Sequence, residues 1–201
     1  MIDKKGFIII FHRYFFYVIA VILVVALIYG YFDDKGYIKE GTGAYNVGKT
    51  FGLQPPNASL VEQQIFALVN KERTKNGLSK LSWDNKLSMI AREHSKDMYE
   101  RDFFDHVNPD GDDPTDRAKS KGIPITNGNW IGIAENIAQT PIGNVEGCGS
   151  VSSEKDISQC AMDGWMSSSG HRANILDENY DVIGVGIYCT TSMCWDTQDF
   201  R

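Results

Sequence analysis

Hydrophobic and polar positions divide the chain into three zones. From Tyr14 to Phe32 no residue is charged, and most positions are Phe, Tyr, Val, Ile, Leu or Ala. A helix of about that length crosses ~30 Å of hydrocarbon. The run has no polar face, which argues against a core helix. Lys4, Lys5 and Arg13 precede it, while Asp33 and Asp34 follow. The excess of positive charge ahead of the run predicts a cytoplasmic segment 1–13, a single transmembrane pass 14–32 and an external C-terminal bulk. A cleaved signal peptide is the rival reading, but its apolar core is usually ~7–15 residues and ends in a small-x-small site. This run is longer and Ile28-Tyr29-Gly30 is a poor cleavage site, so an uncleaved signal anchor is predicted.

The second zone, 33–59, lacks periodicity and carries Gly36, Gly41, Gly43, Gly48 and Gly52, then Pro55-Pro56. It reads as a flexible tether. Asn57-Ala58-Ser59 within it is a glycosylation sequon.

The third zone, 60–201, carries helical and then strand periodicity. Ser59 and Glu62 predict a capping box for a helix reaching about Thr74, with Val61, Ile65, Leu68 and Val69 as its apolar stripe. A second helix is predicted from Asn85 to Arg101, with Leu87, Ala91, His94 and Met98 on one face and Trp83 anchoring its start. Asp113-Pro114 opens a short third helix, stopped before Gly122. Ser153 and Asp156 cap a fourth, running to about Ser168 with Ile157, Ala161 and Trp165 inward. Val182–Tyr188 and Cys194–Phe200 read as strands joined by a turn, and 131–137 reads equally as extended or helical. Helices first and strands last, without strand–helix alternation, predict an α+β layered domain.

Charge narrows the partners. The first 32 residues hold three of the chain's 20 Lys/Arg and one of its 26 Asp/Glu, leaving 17 basic and 25 acidic residues beyond, a net −8. With no Lys/Arg cluster, that balance disfavours nucleic acid as a partner. Cys148, Cys160, Cys189 and Cys194 all fall beyond the anchor, where an even number reads as disulfides. Of the three connectivities, Cys148–Cys160 with Cys189–Cys194 is preferred, the second staple joining adjacent strand ends. A four-Cys zinc site is the alternative, and it lacks any C-x-x-C pair.

The candidate chemistry lies in three separated segments, around His106, Glu135 and His171. His106 follows Phe103-Phe104 and meets the turn Asn108-Pro109-Asp110-Gly111. Reading that turn as an EF-hand with Gly111 sixth puts His106 first and Arg117 twelfth, where both should be acidic, so the EF-hand reading fails. Glu135 sits between Ile133 and Ile137, where an unpaired carboxylate is costly to bury. His171 follows Ser167-Ser168-Ser169-Gly170, a stretch predicted to end a helix and turn sharply, with Asn174 bonding its own loop. His94, on an apolar helix stripe, reads as a core histidine with a hydrogen-bonded ring. Ser168 or Ser169 beside His171 lacks both a G-x-S-x-G elbow and an orienting Asp, and H-E-x-x-H is absent.

Taken in order, Leu68-Val69-Asn70 with Glu72-Arg73, Ala91 through His94-Ser95 to Met98, Phe103-Phe104-Asp105-His106, Glu135-Asn136-Ile137, Trp165 to Ser168, Gly170 through Leu176, Gly184-Val185-Gly186 and Trp195 to Phe200 resemble the CAP superfamily, or SCP-like domain, in its prokaryotic form. The resemblance implies an α-β-α sandwich with a three- or four-stranded antiparallel sheet between helical layers. It also implies a cleft lined by His106, Glu135 and His171, where zinc or another divalent ion can bind the two imidazoles with Glu135 as base or supporting partner. Many animal members carry a second Glu where this chain has Ser168. The tail departs too, as Trp195-Asp196-Thr197-Gln198 in place of an uninterrupted Trp-Thr-Gln.

Fold resemblance fixes architecture better than activity. The leading expectation is a membrane-held surface module binding an external ligand, lipid or protein. The alternatives are a metal-assisted hydrolase of peptide or wall polymer, with Glu135 as candidate catalytic base for water bound at His106 and His171, and a structural domain with a buried polar cluster.

Overall fold

A computed structural model describes residues 54–126 and 131–201 of the chain. The predicted anchor 14–32 and most of the predicted tether lie outside them. Among the described residues no helix is long and apolar enough to cross a membrane. Gln54–Arg201 forms one compact unit.

Its described residues form five helices and six strands. In chain order they are α1 (Ala58–Lys75), β1 (Ser82–Trp83), α2 (Asn85–Glu100), α3 (Pro114–Ser120), β2 (Ala134–Pro141), β3 (Gly143–Val145), β4 (Gly149–Val151), α4 (Glu154–Ser167), α5 (Ser169–Ile175), β5 (Val182–Cys189) and β6 (Met193–Phe200). The main sheet has the order β1-β5-β6-β2. It is antiparallel except for the two-residue pairing of β1 with β5, which is parallel. β3 and β4 form a separate hairpin.

The sheet separates two helical layers. On one face α2 lies against β5, so closely that a Cβ added at Gly184 would come within 2.3 Å of the Leu87 backbone, and one at Gly186 within 2.0 Å of the Arg92 backbone. On the other face Ile183, Val185, Ile187 and Phe200 join Val61, Ile65 and Val69 of α1 and Ile157, Ala161 and Trp165 of α4 in the main core. A smaller core of Leu87, Ile90, Ala118, Ile123 and Ile133 fastens α3 to α2. The sandwich matches the expected architecture, with the parallel β1 as an addition.

Local signals set several helix ends as expected. Ser153 and Asp156 form a reciprocal capping box at α4, and Asp113 caps α3 with Pro114 at its first position. The start of α1 differs. Asn57, not Ser59, is the N-cap, and its side chain accepts from the Leu60 N–H at 3.3 Å. Glu62 serves the tertiary structure instead. It is buried, accepts two bonds from Arg92 at 2.6 and 2.7 Å, and receives the Ile187 N–H of β5 at 3.2 Å. Both expected disulfides are present, Cys148–Cys160 and Cys189–Cys194.

Buried Arg73 ties α1 to the loop after α5. Its guanidinium donates to the carbonyls of Ser79, Ile175 and Asp177 at 2.8–2.9 Å.

Candidate functional site

The site is built around Glu135 on β2. In the β2–β6 register Glu135 stands opposite Asp199, and both side chains face the α2 layer. Glu135 is buried, and each carboxylate oxygen has a cationic or polarised partner. Arg117 Nη2 of α3 donates to Oε2 at 2.5 Å. His106 Nδ1 lies 2.8 Å from Oε1. Because a carboxylate only accepts, Nδ1 carries the proton and the ring turns Nε2 away from Glu135. His94 lies behind, its Nε2 3.7 Å from the same Oε1.

The loop carrying His106 is locked from both sides. Asn108 Oδ1 accepts from the N–H groups of Asp110 and Asp112 at 3.0 and 2.9 Å, and Gly111 turns at a φ of 92° that favours glycine. Arg117 Nη1 donates to the carbonyls of His106 and Asp112 at 2.8 and 3.0 Å. One planar guanidinium therefore fixes both the loop and the carboxylate, a geometry that a lysine cannot reproduce.

His171 reaches the site from α5. Contrary to the sequence expectation, 169–175 is a short helix of about two turns rather than a free loop. Asn174 does not bond within its own segment either: its Nδ2 donates to Glu135 O at 3.3 Å and to Asn136 Oδ1 at 2.9 Å. Asn136 in turn donates to His171 O at 3.1 Å and to Gln198 Oε1 at 3.0 Å. This amide chain clamps α5 onto β2 and brings the His171 ring within electrostatic range of His106. Ser168 is the residue between α4 and α5, half-buried and making no side-chain cap bond.

The three histidines differ in protonation. The hydrogen bond to Glu135 raises the His106 pKa, against partial burial. Burial lowers that of His171, and His106 adds to the lowering. Burial lowers that of His94, outweighing the pull of Glu135. His94 donates through Nε2 to Asp105 O at 3.0 Å, which leaves its buried Nδ1 without a partner. It is thus the core histidine expected, with the added position beneath Glu135.

Three features of this cluster were not read from the sequence. Arg117 is an ordinary-looking arginine inside a short helix. The nearness of His94 to Glu135 spans 41 positions of chain. Asp199 is buried and neither of its oxygens has a hydrogen-bond partner. Burial first, and Glu135 second, push its pKa well above the usual carboxylate range. The period-2 placement of Trp195, Thr197 and Asp199 on one strand face is the only sequence hint that this carboxyl faces inward.

A zinc or other divalent ion needs three or four protein ligands for a resident site. Here Glu135 is engaged by Arg117 and His106, which leaves the imidazoles of His106 and His171 as the free donors. Among the described residues no group of three His, Cys, Asp or Glu is arranged to hold a metal ion. The donor set does not fit a resident metal.

Sandwich, clamped α5 and the His106–Glu135 pair together define a CAP-type domain. The CAP family (cysteine-rich secretory protein family) matches residues 66–195, and the chain belongs to it. Among curated relatives, the uncharacterized protein YkwD of Bacillus subtilis (strain 168) is 37% identical over 146 residues, covering 73% of this chain and 49% of YkwD. The uncharacterized membrane protein YlbC of the same strain is 33% identical over 126 residues, covering 63% of this chain and 31% of YlbC. The chain thus spans half or less of these relatives' lengths. Among solved structures, an extracellular protein containing an SCP domain from Bacillus anthracis str. Ames superposes with a TM-score of 0.57 at 30% identity, over 71% of this chain and 40% of that one. An outer surface protein from Borrelia burgdorferi gives 0.58 at 16% identity, over 73% of this chain and 96% of that one, a likeness of fold alone.

Proposed function

We propose that this CAP domain is an extracytoplasmic recognition module, held at a membrane by the apolar run 14–32 and binding a surface ligand at the cleft of His106, Glu135 and His171. The observation that carries the reading is the state of Glu135. A general base needs a carboxylate free to take a proton, and this one is buried and spent on Arg117 and His106. It organises the cleft walls instead. Ser168, where an acidic residue would complete a fuller proton-transferring set, adds no charge. Placement outside the cell is supported by the two disulfides, by the positive flank of the apolar run, and by relatives described as a membrane protein and as an extracellular protein.

The metal-assisted hydrolase is the competing reading, because the orientation of His106 leaves Nε2 pointing away from Glu135. The two separate in one experiment on the full chain in phosphatidylcholine nanodiscs, dialysed against zinc and then supplied with labelled casein or peptidoglycan. The recognition reading expects substoichiometric zinc and no turnover above that of a His106→Ala/His171→Ala variant. Stoichiometric zinc together with turnover, both lost in that variant, would falsify it. A protease added to intact cells is expected to reach the domain, and protection there would overturn the assigned orientation.

A further inference from the structure

The outer edge of β2 opens into a groove that ends at His171. β2 is the last strand of the sheet, and among the described residues no strand pairs with its outer side. Alternate carbonyls of a strand point to the same edge. Asn174 Nδ2 donates to that of Glu135 and Trp165 Nε1 to that of Ile137, at 3.3 and 3.1 Å, which marks the odd-numbered residues as outward-facing. Gln139 is the next in that series. It therefore offers both its N–H and its C=O to whatever lies alongside, and Pro141 beyond it has no N–H to offer.

Alongside lies a cavity of about 460 Å³, walled by β2, by the α4 helix and by the arm of the β3–β4 hairpin. That is within the usual ~300–1,000 Å³ of ligand sites. The Cys148–Cys160 disulfide fastens hairpin to helix, so the walls have a fixed spacing. Its charged lining consists of Glu146 and Asp163, both exposed, with no lysine or arginine, and neither carboxylate joins an ion pair among the described residues. Ser168 and His171 close one end.

We propose that this groove takes an extended peptide carrying a basic side chain, which pairs through its backbone with Gln139, meets Glu146 and Asp163 with its cation, and terminates beside His171. This rests on the recognition reading and names its ligand class. A backbone pair at a sheet edge supplies affinity, and flanking pockets supply selectivity. Trp165 and Asn174 already satisfy the outward carbonyls on one side of Gln139, and Pro141 stops the ladder on the other, so the register is fixed at a single residue. A fatty acid is disfavoured, because its carboxylate would face Glu146 and Asp163 and its chain would leave Gln139 unpaired.

The test uses the full chain in phosphatidylcholine nanodiscs and a fluorescent, end-capped hexapeptide of alternating lysine and valine, read by anisotropy against empty nanodiscs. Saturable binding is expected, weakened at least about tenfold when the peptide amides are N-methylated, when glutamate replaces lysine, or in a Glu146→Lys/Asp163→Lys variant. Those two positions are exposed, so the variant keeps the fold. Gln139→Pro, which removes the outward N–H, is expected to weaken binding to a similar degree. Absence of saturable binding, equal affinity for the N-methylated or glutamate peptide, or occupation of the groove by laurate in place of peptide overturns the proposal. Absent peptide binding without casein turnover sinks this inference alone, whereas zinc-dependent turnover sinks the recognition reading itself.

Discussion

Glu135 shows how one buried charge gathers side chains from separate elements. Removing a carboxylate from water costs several kcal/mol unless a partner of good geometry replaces the lost solvation. Arg117 is that partner, at 2.5 Å and itself largely buried, while the His106 side chain remains 47% exposed. Replacing Arg117 by Met is therefore expected to cost about 3–5 kcal/mol, the penalty of stranding a buried charge. His106→Ala should cost under ~1 kcal/mol, as for a solvent-screened pair. Urea denaturation at pH 7 compares the two, and equal losses would mean that the imidazole holds Glu135 as strongly as the guanidinium does. At this scale the sequence marks His106, Glu135 and His171 by residue type and by their turn or apolar neighbours. It does not mark Arg117, because an arginine inside a short helix is usually solvated and its partner lies 18 positions away on another element.

At the scale of elements, the tightest constraint is the contact of α2 with β5. Gly184 and Gly186 let the helix backbone approach the strand, and a methyl group at Gly186 would overlap the backbone of Ala91 and Arg92. Because the obstacle is backbone, it cannot swing aside as a long side chain would. Gly186→Ala is expected to lose about 3 kcal/mol, at the upper end for overpacking, measured by the fall in thermal midpoint. A shift within error would mean the layers can separate without penalty. Element identity was readable where the signal is local: the helical stripe of α2, the caps of α3 and α4, and the alternation of β5 and β6. The box read at Ser59 and Glu62 failed because Glu62 is claimed by Arg92, 30 positions on, and by the open edge of β5. β1, β3 and β4, at two or three residues, are too short to show a period. The 169–175 segment looked like a loop because its serines and glycine disfavour helix, and the clamp through Asn136 and Asn174 overrides that preference.

Taken as a whole, the domain buries on β6 two carboxyls whose pKa burial raises. Burial pushes Asp196 up to about 7 from 3.8, against the hydrogen bond from Thr140, and Asp199 rises well above its usual range. A folded group that keeps its proton to higher pH makes folding take up a proton, so stability falls as pH rises between the unfolded and folded values. For Asp196 that window runs from about 4 to about 7, with a slope of up to ~1.4 kcal/mol per pH unit. His94 acts in the opposite sense: its lowered pKa withdraws stability as pH drops below 6.5. The thermal midpoint is therefore expected to be higher near pH 5.5 than at pH 8, and Asp196→Asn should shrink that difference. An unchanged difference would show that Asp196 ionises in the folded protein at ordinary values. The sequence alone determined helices α1 to α4, the closing pair of strands and the three side chains worth watching, and it favoured one of three cysteine pairings, since caps, periodicity and short-range spacing are local properties. Only the tertiary structure decided that Glu135 belongs to Arg117, that α5 is clamped to β2 through Asn136 and Asn174, and that β2 keeps an open edge. Each of these depends on which distant backbones the buried cores and the register of the sheet bring into contact, and that information is not carried by any one segment of chain.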